Sequence, residues 1–101
     1  MQIKDGVILA GLKIEMRPVL ILAEKIWEKY GQPLTVTCGL DGEHSAGSLH
    51  YYGFAVDLRI RDFSEGQRQS AWANLKSKLG IAYDVVLHKT HIHVEFDLGK
   101  S

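Results

Sequence analysis

Histidine and carboxylate residues lie close together at two places in this 101-residue chain. His50 and Asp57 are seven positions apart, and His91 and His93 alternate further along the chain. Imidazole nitrogen and carboxylate oxygen both bind zinc at ~2 Å, and three protein ligands with one open position are typical of a catalytic zinc site. His50, Asp57 and one of the two later histidines would meet that description.

A predicted hairpin places further polar groups beside the later histidines. Residues 83–88 and 91–96 are strand candidates separated by two residues. The period of two along a strand puts His91, His93 and Glu95 on one face. If the loop is two residues long, three cross-strand pairs share that face: His88 with His91, Val86 with His93, and Asp84 with Glu95. The two loop residues lack the Asn-Gly or Gly chemistry of the tightest turns, so another register remains open.

Hydrophobic periodicity predicts the elements that position these side chains. Residues 54–60 alternate as a strand, with Asp57 and Arg59 on its polar face. The other predicted elements are a helix over residues 17–30, a strand over 34–38, a glycine-rich loop over 39–53, and a helix over 64–80 that starts with a Ser-x-x-Gln capping box. The predicted fold class is α+β, a small antiparallel sheet with two helices packed on one face, in a single domain spanning residues 1–101.

Composition and charge argue against several classes of protein. Lys plus Arg and Asp plus Glu number 12 each, so the formal net charge is zero and no basic surface for nucleic acid is expected. No apolar run approaches the ~20 residues that span a membrane, and no secretion signal is recognisable. The single cysteine, Cys38, cannot form an internal disulfide. We therefore expect a monomer that is cytoplasmic as synthesised, with neither nucleic acid nor a membrane as its partner.

Two segments of the chain resemble a known family. Residues 48–59, SLHYYGFAVDLR, resemble the Ser-x-His-x-x-Gly-x-Ala-x-Asp signature of the D-alanyl-D-alanine metallopeptidases, and residues 91–93 resemble the downstream His-x-His of that family. The resemblance extends more loosely over residues 34–96. The family includes phage lysins and is similar to lysostaphin-type peptidases and to the hedgehog domain, all of which hold zinc on two histidines and one aspartate.

The resemblance implies a role for each of these side chains. By it, the zinc ligands are His50, Asp57 and His93, and the substrate-binding residues are His44, Ser48 and Arg59. His91 would be the histidine beside the metal that hydrogen-bonds the scissile carbonyl or the oxyanion formed on it. His44 resembles a further pocket histidine of the hedgehog-like arrangement, with an exposed loop residue as the alternative.

The general base departs from the family pattern. A Glu or Asp usually stands a few residues before the His-x-His, whereas this chain has His88, Lys89 and Thr90 there. A neutral imidazole can accept a proton near pH 7, so His88 is a candidate replacement, with Glu95 and Asp84 as alternatives.

The expected function is a zinc-dependent peptidase that hydrolyses peptide bonds of bacterial peptidoglycan, with the stem peptide as its substrate. D,D-carboxypeptidase, dipeptidase and L-alanyl-D-glutamate endopeptidase activities all occur on this scaffold, so the bond that is cut stays open. The alternative is a catalytically silent, zinc-stabilised binding module of the same fold, and a metal-free interaction domain is a third hypothesis. Release to the cell wall as a phage or prophage lysin, or action on imported wall fragments, would both fit the expected localisation.

Overall fold

The computed structural model describes residues 2–3, 13–38 and 55–96, which contain two α-helices and five strands. In chain order the elements are β1 (Gln2–Ile3), a 3₁₀ turn (Ile14–Met16), α1 (Arg17–Lys29), β2 (Thr35–Cys38), β3 (Ala55–Arg59), α2 (Glu65–Leu79), β4 (Tyr83–Leu87) and β5 (His91–Phe96). Each neighbouring pair among β2 to β5 is antiparallel, and the two helices complete the predicted α+β fold, which is confirmed. Neither of the helices described here is long and apolar enough to cross a membrane.

The strands form one sheet in the order β1-β2-β3-β5-β4. Strand β1 pairs in parallel with β2, an addition that the sequence did not predict because two residues are too few to show a period. The hairpin between β4 and β5 has the predicted register, with Asp84 opposite Glu95 and Val86 opposite His93. The His88 N–H donates to the His91 carbonyl at 2.9 Å, which closes the two-residue turn.

Helix α1 carries an apolar stripe and is bounded by Pro18 at its start and Gly31 just after its end. Pro18 stands in the first turn, where its missing N–H removes no helical hydrogen bond. Gly31 follows the helix with φ of 69°, a conformation that residues with a Cβ rarely adopt. The buried residues of the helix are Val19, Ala23, Ile26 and Trp27. Burial of a large apolar side chain contributes ~1.5–3 kcal/mol, so this stripe stabilises the helix more than propensity does.

Helix α2 begins at the predicted capping box. The Ser64 hydroxyl accepts a hydrogen bond from the Gln67 N–H at 3.2 Å, and the Gln67 side-chain oxygen accepts one from the Ser64 N–H at 3.0 Å. Further along the helix, the Trp72 indole donates to the Val85 carbonyl at 2.9 Å. The helix is therefore tied to β4, the edge strand that carries one side of the hairpin.

The sheet has one apolar face and one polar face. The apolar face packs with both helices in one core, and its fully buried residues on β3 and β5 are Val56, Leu58, Ile92 and Val94. The intervening residues Asp57, His91 and His93 lie on the other face because successive strand residues alternate. A slip of one residue would bury these polar groups and expose the apolar ones. The core thus determines which side chains meet on the polar face.

Candidate functional site

His93 lies between two carboxylates on the polar face of the sheet. Asp57 is directly opposite His93 in the pairing of β3 with β5, and Asp57 Oδ1 is 2.9 Å from His93 Nδ1. Glu95 Oε1 is 3.0 Å from the other ring nitrogen, His93 Nε2. The side chains of Asp57, His93 and Glu95 retain 16%, 19% and 28% of their exposure. This Asp57–His93–Glu95 cluster is therefore partly shielded from water and still accessible to a ligand.

The two carboxylates raise the pKa of His93. The hydrogen bond with Asp57 is the largest cause, partial burial acts against it, and the hydrogen bond with Glu95 and the charges of both carboxylates add to the rise. A carboxylate accepts hydrogen bonds and does not donate them, so the metal-free ring fits this position best with a hydrogen on each nitrogen. A metal ion bound at Nδ1 would have to displace one of these hydrogens.

His91 and His88 extend the site along the hairpin. His91 Nε2 lies 3.9 Å from Asp57 Oδ1, and His91 Nδ1 lies 3.3 Å from the Thr90 hydroxyl. His88 is exposed, and its ring stacks on that of His91 with centroids 4.6 Å apart and planes inclined by 26°. The two imidazoles are thus in contact, and His91 is the one that approaches the Asp57 carboxylate.

Hydrogen bonds from neighbouring elements hold β3 in place under the site. The Thr37 hydroxyl donates to the Asp57 carbonyl at 3.4 Å, and the Trp27 indole donates to the Arg59 carbonyl at 3.0 Å. Trp27 is fully buried on α1, so the strand that carries Asp57 is fixed by packing on the opposite side of the sheet. The sequence did not single out Thr37 or Trp27 for the site, because neither belongs to a motif.

Arg59 opens onto a pocket at the end of the polar face. It follows Asp57 by two residues on β3, which corresponds to ~7 Å along the strand on the same face. The pocket measures about 240 Å³, and its lining includes Gln2, Gln32, Thr35, Arg61 and Asp62. Within the described residues, neither the Arg59 nor the Arg61 guanidinium makes an ion pair. The two guanidinium groups outnumber the Asp62 carboxylate in this lining and, with amide and hydroxyl donors nearby, form a suitable environment for a carboxylate.

The predicted site residues divide into those that the structure brings together and those outside the described residues. Asp57, His93 and His91 meet at one point, His88 stacks on His91, and Arg59 lies two residues beyond Asp57. His44, Ser48 and His50 lie outside the described residues, as does the predicted loop over residues 39–53. Of the alternative bases, Glu95 contacts His93 and Asp84 lies opposite Glu95 on β4.

Asp57 and His93 supply two donor atoms of the kind that zinc prefers. Bonds of ~2.0 Å in a tetrahedral arrangement place two donors roughly 3.3 Å apart. Asp57 Oδ1 and His93 Nδ1 are 2.9 Å apart, so a small widening of their hydrogen bond would accommodate the ion. Within residues 2–3, 13–38 and 55–96, no group of three or more His, Cys, Asp or Glu side chains is arranged to hold a metal ion, and the predicted third ligand, His50, is not among these residues.

Comparison with known proteins adds no family assignment. No protein-family model matches the chain, and no protein of curated function matches it at a significant level. The resemblance to the D-alanyl-D-alanine metallopeptidases therefore depends on residues 48–59 and 91–93 themselves, and the activity that it implies is a proposal.

Proposed function

We propose that this protein is a zinc-dependent peptidase that hydrolyses a peptide bond in the stem peptide of bacterial peptidoglycan. The observation that carries the proposal is the contact between Asp57 and His93. These residues are 36 positions apart in the chain, and their donor atoms meet at 2.9 Å. Packing of the core does not require this pair, because both side chains lie on the polar face. Both also belong to the residues that resemble the family signature, and the fold that holds them is α+β.

In this proposal, His50, Asp57 and His93 hold a zinc ion, which when bound acidifies a water molecule and polarises the peptide carbonyl. His91 donates a hydrogen bond from Nε2 to the carbonyl oxygen as negative charge develops there. This role requires the ring hydrogen on Nε2, in which case the Thr90 hydroxyl, 3.3 Å from His91 Nδ1, is the donor of that hydrogen bond. Nε2 is also the nitrogen that faces Asp57, at 3.9 Å, so it points toward the reaction centre.

His88 is the proposed general base. Its imidazole is exposed and in contact with His91, and a neutral imidazole can take a proton from the attacking water and pass it to the departing amine. Glu95 is less suited to this role because its carboxylate is hydrogen-bonded to His93 Nε2, away from Asp57. Asp84, opposite Glu95, and His88, opposite His91, both lie on the β4 side of the hairpin, so position does not separate them and Asp84 stays the alternative base.

The pocket at Arg59 is the proposed subsite for a substrate carboxylate. Stem peptides carry free carboxylates, and the Arg59 and Arg61 guanidinium groups can bind one by paired hydrogen bonds. The spacing of ~7 Å between Asp57 and Arg59 along β3 corresponds to about two residues of an extended peptide. A peptide bound there would place its scissile bond near Asp57 and its carboxylate in the pocket.

The test is incubation of the zinc-loaded protein with purified peptidoglycan, followed by mass analysis of the fragments. We expect one zinc ion per chain and new fragments that differ from the parent by one hydrolysed peptide bond. The matched variant His91→Ala should keep its zinc and lose most turnover, since His91 assists the reaction without holding the ion. A parent protein that takes up no stoichiometric zinc would contradict the proposal at its first step.

A zinc-stabilised binding module is the second candidate function, and the residue at position 88 favours it. The resemblance implies a Glu or Asp a few residues before the His-x-His, and residues 88–90 of this chain are His88, Lys89 and Thr90. If the parent binds zinc and cleaves nothing, His88→Glu and Thr90→Asp would each return a carboxylate to the hairpin. Activity in either variant would identify a silenced peptidase site. Inactivity of both with zinc retained would favour the binding module.

A further inference from the structure

Glu95 has no part in the ligand set or in the reaction proposed above, yet it contacts a proposed ligand directly. Its Oε1 lies 3.0 Å from His93 Nε2, while Asp57 Oδ1 lies 2.9 Å from His93 Nδ1. The two carboxylates therefore engage different edges of one imidazole ring. An ion held between Asp57 and His93 Nδ1 would be separated from Glu95 by the ring itself.

We propose that Glu95 is a positioning residue that prepares His93 for zinc, an inference that depends on the proposed zinc site. A neutral imidazole has one nitrogen that donates and one that accepts, and a carboxylate can only accept. With an ion bound at Nδ1, the single ring hydrogen would be on Nε2, where Glu95 accepts it and keeps Nδ1 directed toward Asp57. Carboxylates that accept a hydrogen bond from a metal-bound histidine are common, and their loss typically weakens metal binding 10–100-fold.

The residues directly opposite Glu95 on the two neighbouring strands offer it no favourable polar contact. Glu95 follows His93 by two residues on β5 and so shares its face. Its neighbour on β3 is Ala55, which has no polar side chain, and its neighbour on β4 is Asp84, which has the same charge. Like charges directly opposite one another are destabilising, so the β4 neighbour offers no compensating pair. Among the described residues, the hydrogen bond to His93 is the contact that accounts for a carboxylate at this position.

Zinc affinity tests the proposal, measured on the full chain by competition with a chelator. Glu95→Ala should weaken zinc binding ~10–100-fold. Glu95→Gln should weaken it less, because the amide oxygen still accepts from Nε2. The matched control is Asp84→Asn, which removes the same charge directly across from Glu95 and should change affinity less than about 3-fold, the range expected for a partly screened surface charge. Equal losses in Glu95→Ala and Asp84→Asn would overturn the proposal, because a general charge effect would then explain both.

The ring hydrogen of His93 provides a second readout, which needs no metal. Nitrogen NMR of the metal-free protein with a neutral His93 ring shows which nitrogen carries the hydrogen. We expect Glu95→Ala to move the hydrogen toward Nδ1, where Asp57 is the remaining acceptor, and Glu95→Gln to move it part of the way. Unchanged hydrogen positions in both variants would overturn the role of Glu95 even if zinc affinity falls. Failure of the parent to bind zinc would instead contradict the proposed function, and the hydrogen position would still test Glu95.

Discussion

Replacement of His93 by alanine should destabilise the metal-free protein far more than the same replacement of His91, although both residues lie on the same face of β5. His93 makes hydrogen bonds of 2.9 and 3.0 Å with two carboxylates. Hydrogen bonds to charged groups contribute ~1.5–3 kcal/mol each, and the lower value suits a ring that is 19% exposed. At a pH where the ring carries a hydrogen on each nitrogen, loss of both should lower the free energy of unfolding by about 3 kcal/mol.

His91 should contribute much less. Its closest approach to Asp57 is 3.9 Å, and its side chain is 31% exposed. Ion pairs in such positions are usually worth ~0–1 kcal/mol. For a domain of about 100 residues, a change of 1 kcal/mol shifts the Tm by ~4–8 °C, so the His93→Ala protein should melt at least ~8 °C below His91→Ala.

Urea unfolding in the presence of a chelator measures the free energy of unfolding of the metal-free parent and of both variants. A second series with zinc measures how much stability the ion adds to each protein. Zinc at 100 times its Kd should add ~2.7 kcal/mol to the parent and to His91→Ala, and almost nothing to His93→Ala. Equal losses for the two variants in chelator would refute the energetic role assigned to the hydrogen bonds of His93. Full zinc stabilisation of His93→Ala would remove that residue from the ligand set.

Three further predictions concern the scaffold. The Tyr83 hydroxyl donates to the Glu15 carbonyl at 2.7 Å, so Tyr83→Phe should lower the free energy of unfolding by ~0.5–1.5 kcal/mol in urea titrations. Burial, and then the charge of Glu15, raise the pKa of Tyr83. Its contribution to stability should therefore be complete below pH ~10 and decline as pH rises through the raised value, and parallel declines in the parent and Tyr83→Phe would count against this assignment. Ser64→Ala should cost ~0.5–2 kcal/mol by removing the cap of α2, whereas Ser70→Ala, at an exposed position within the same helix, should cost nothing measurable.

The elements were predictable because burial in this chain follows simple periods. Residues 54–60 and 91–96 alternate between apolar and polar, and α1 has an apolar stripe, so each of these segments has one face that packs in the core. Every predicted helix and strand begins and ends within a residue of its predicted limits. Strand β1 was missed because a pairing of two residues depends on β2, which lies more than 30 positions away. The residues around Gln2–Ile3 contain no sequence pattern that indicates pairing with β2.

For the candidate site, the sequence predicted which side chains share a face of the sheet and which residues pair across the hairpin. The two-residue hairpin was enough to place His91, His93 and Glu95 on one face, and the structure confirms that register. The direction of a side chain within its face was not predictable, since Glu95 could have turned toward His93, Asp84 or solvent. That choice depends on tertiary neighbours, as does the pocket that gathers Arg61 and Gln2 beside Arg59.

An imidazole at position 88, in place of a carboxylate, changes the net charge of the proposed site and therefore its affinity for an anionic substrate. With zinc bound, Asp57 and Glu95 would balance the two positive charges of the ion, and Asp84, opposite Glu95, would add one negative charge. A carboxylate at position 88 would add a further negative charge, which an uncharged imidazole does not, and would disfavour an anionic peptide whose own carboxylate is held at Arg59. An imidazole base would thus favour substrate binding, while a carboxylate base would keep its proton-accepting form to lower pH. If the parent and the His88→Glu variant are both active, the substitution should raise KM for a substrate with a free carboxylate more than for its amidated analogue. An equal change in KM for both substrates would refute this explanation of the imidazole at position 88.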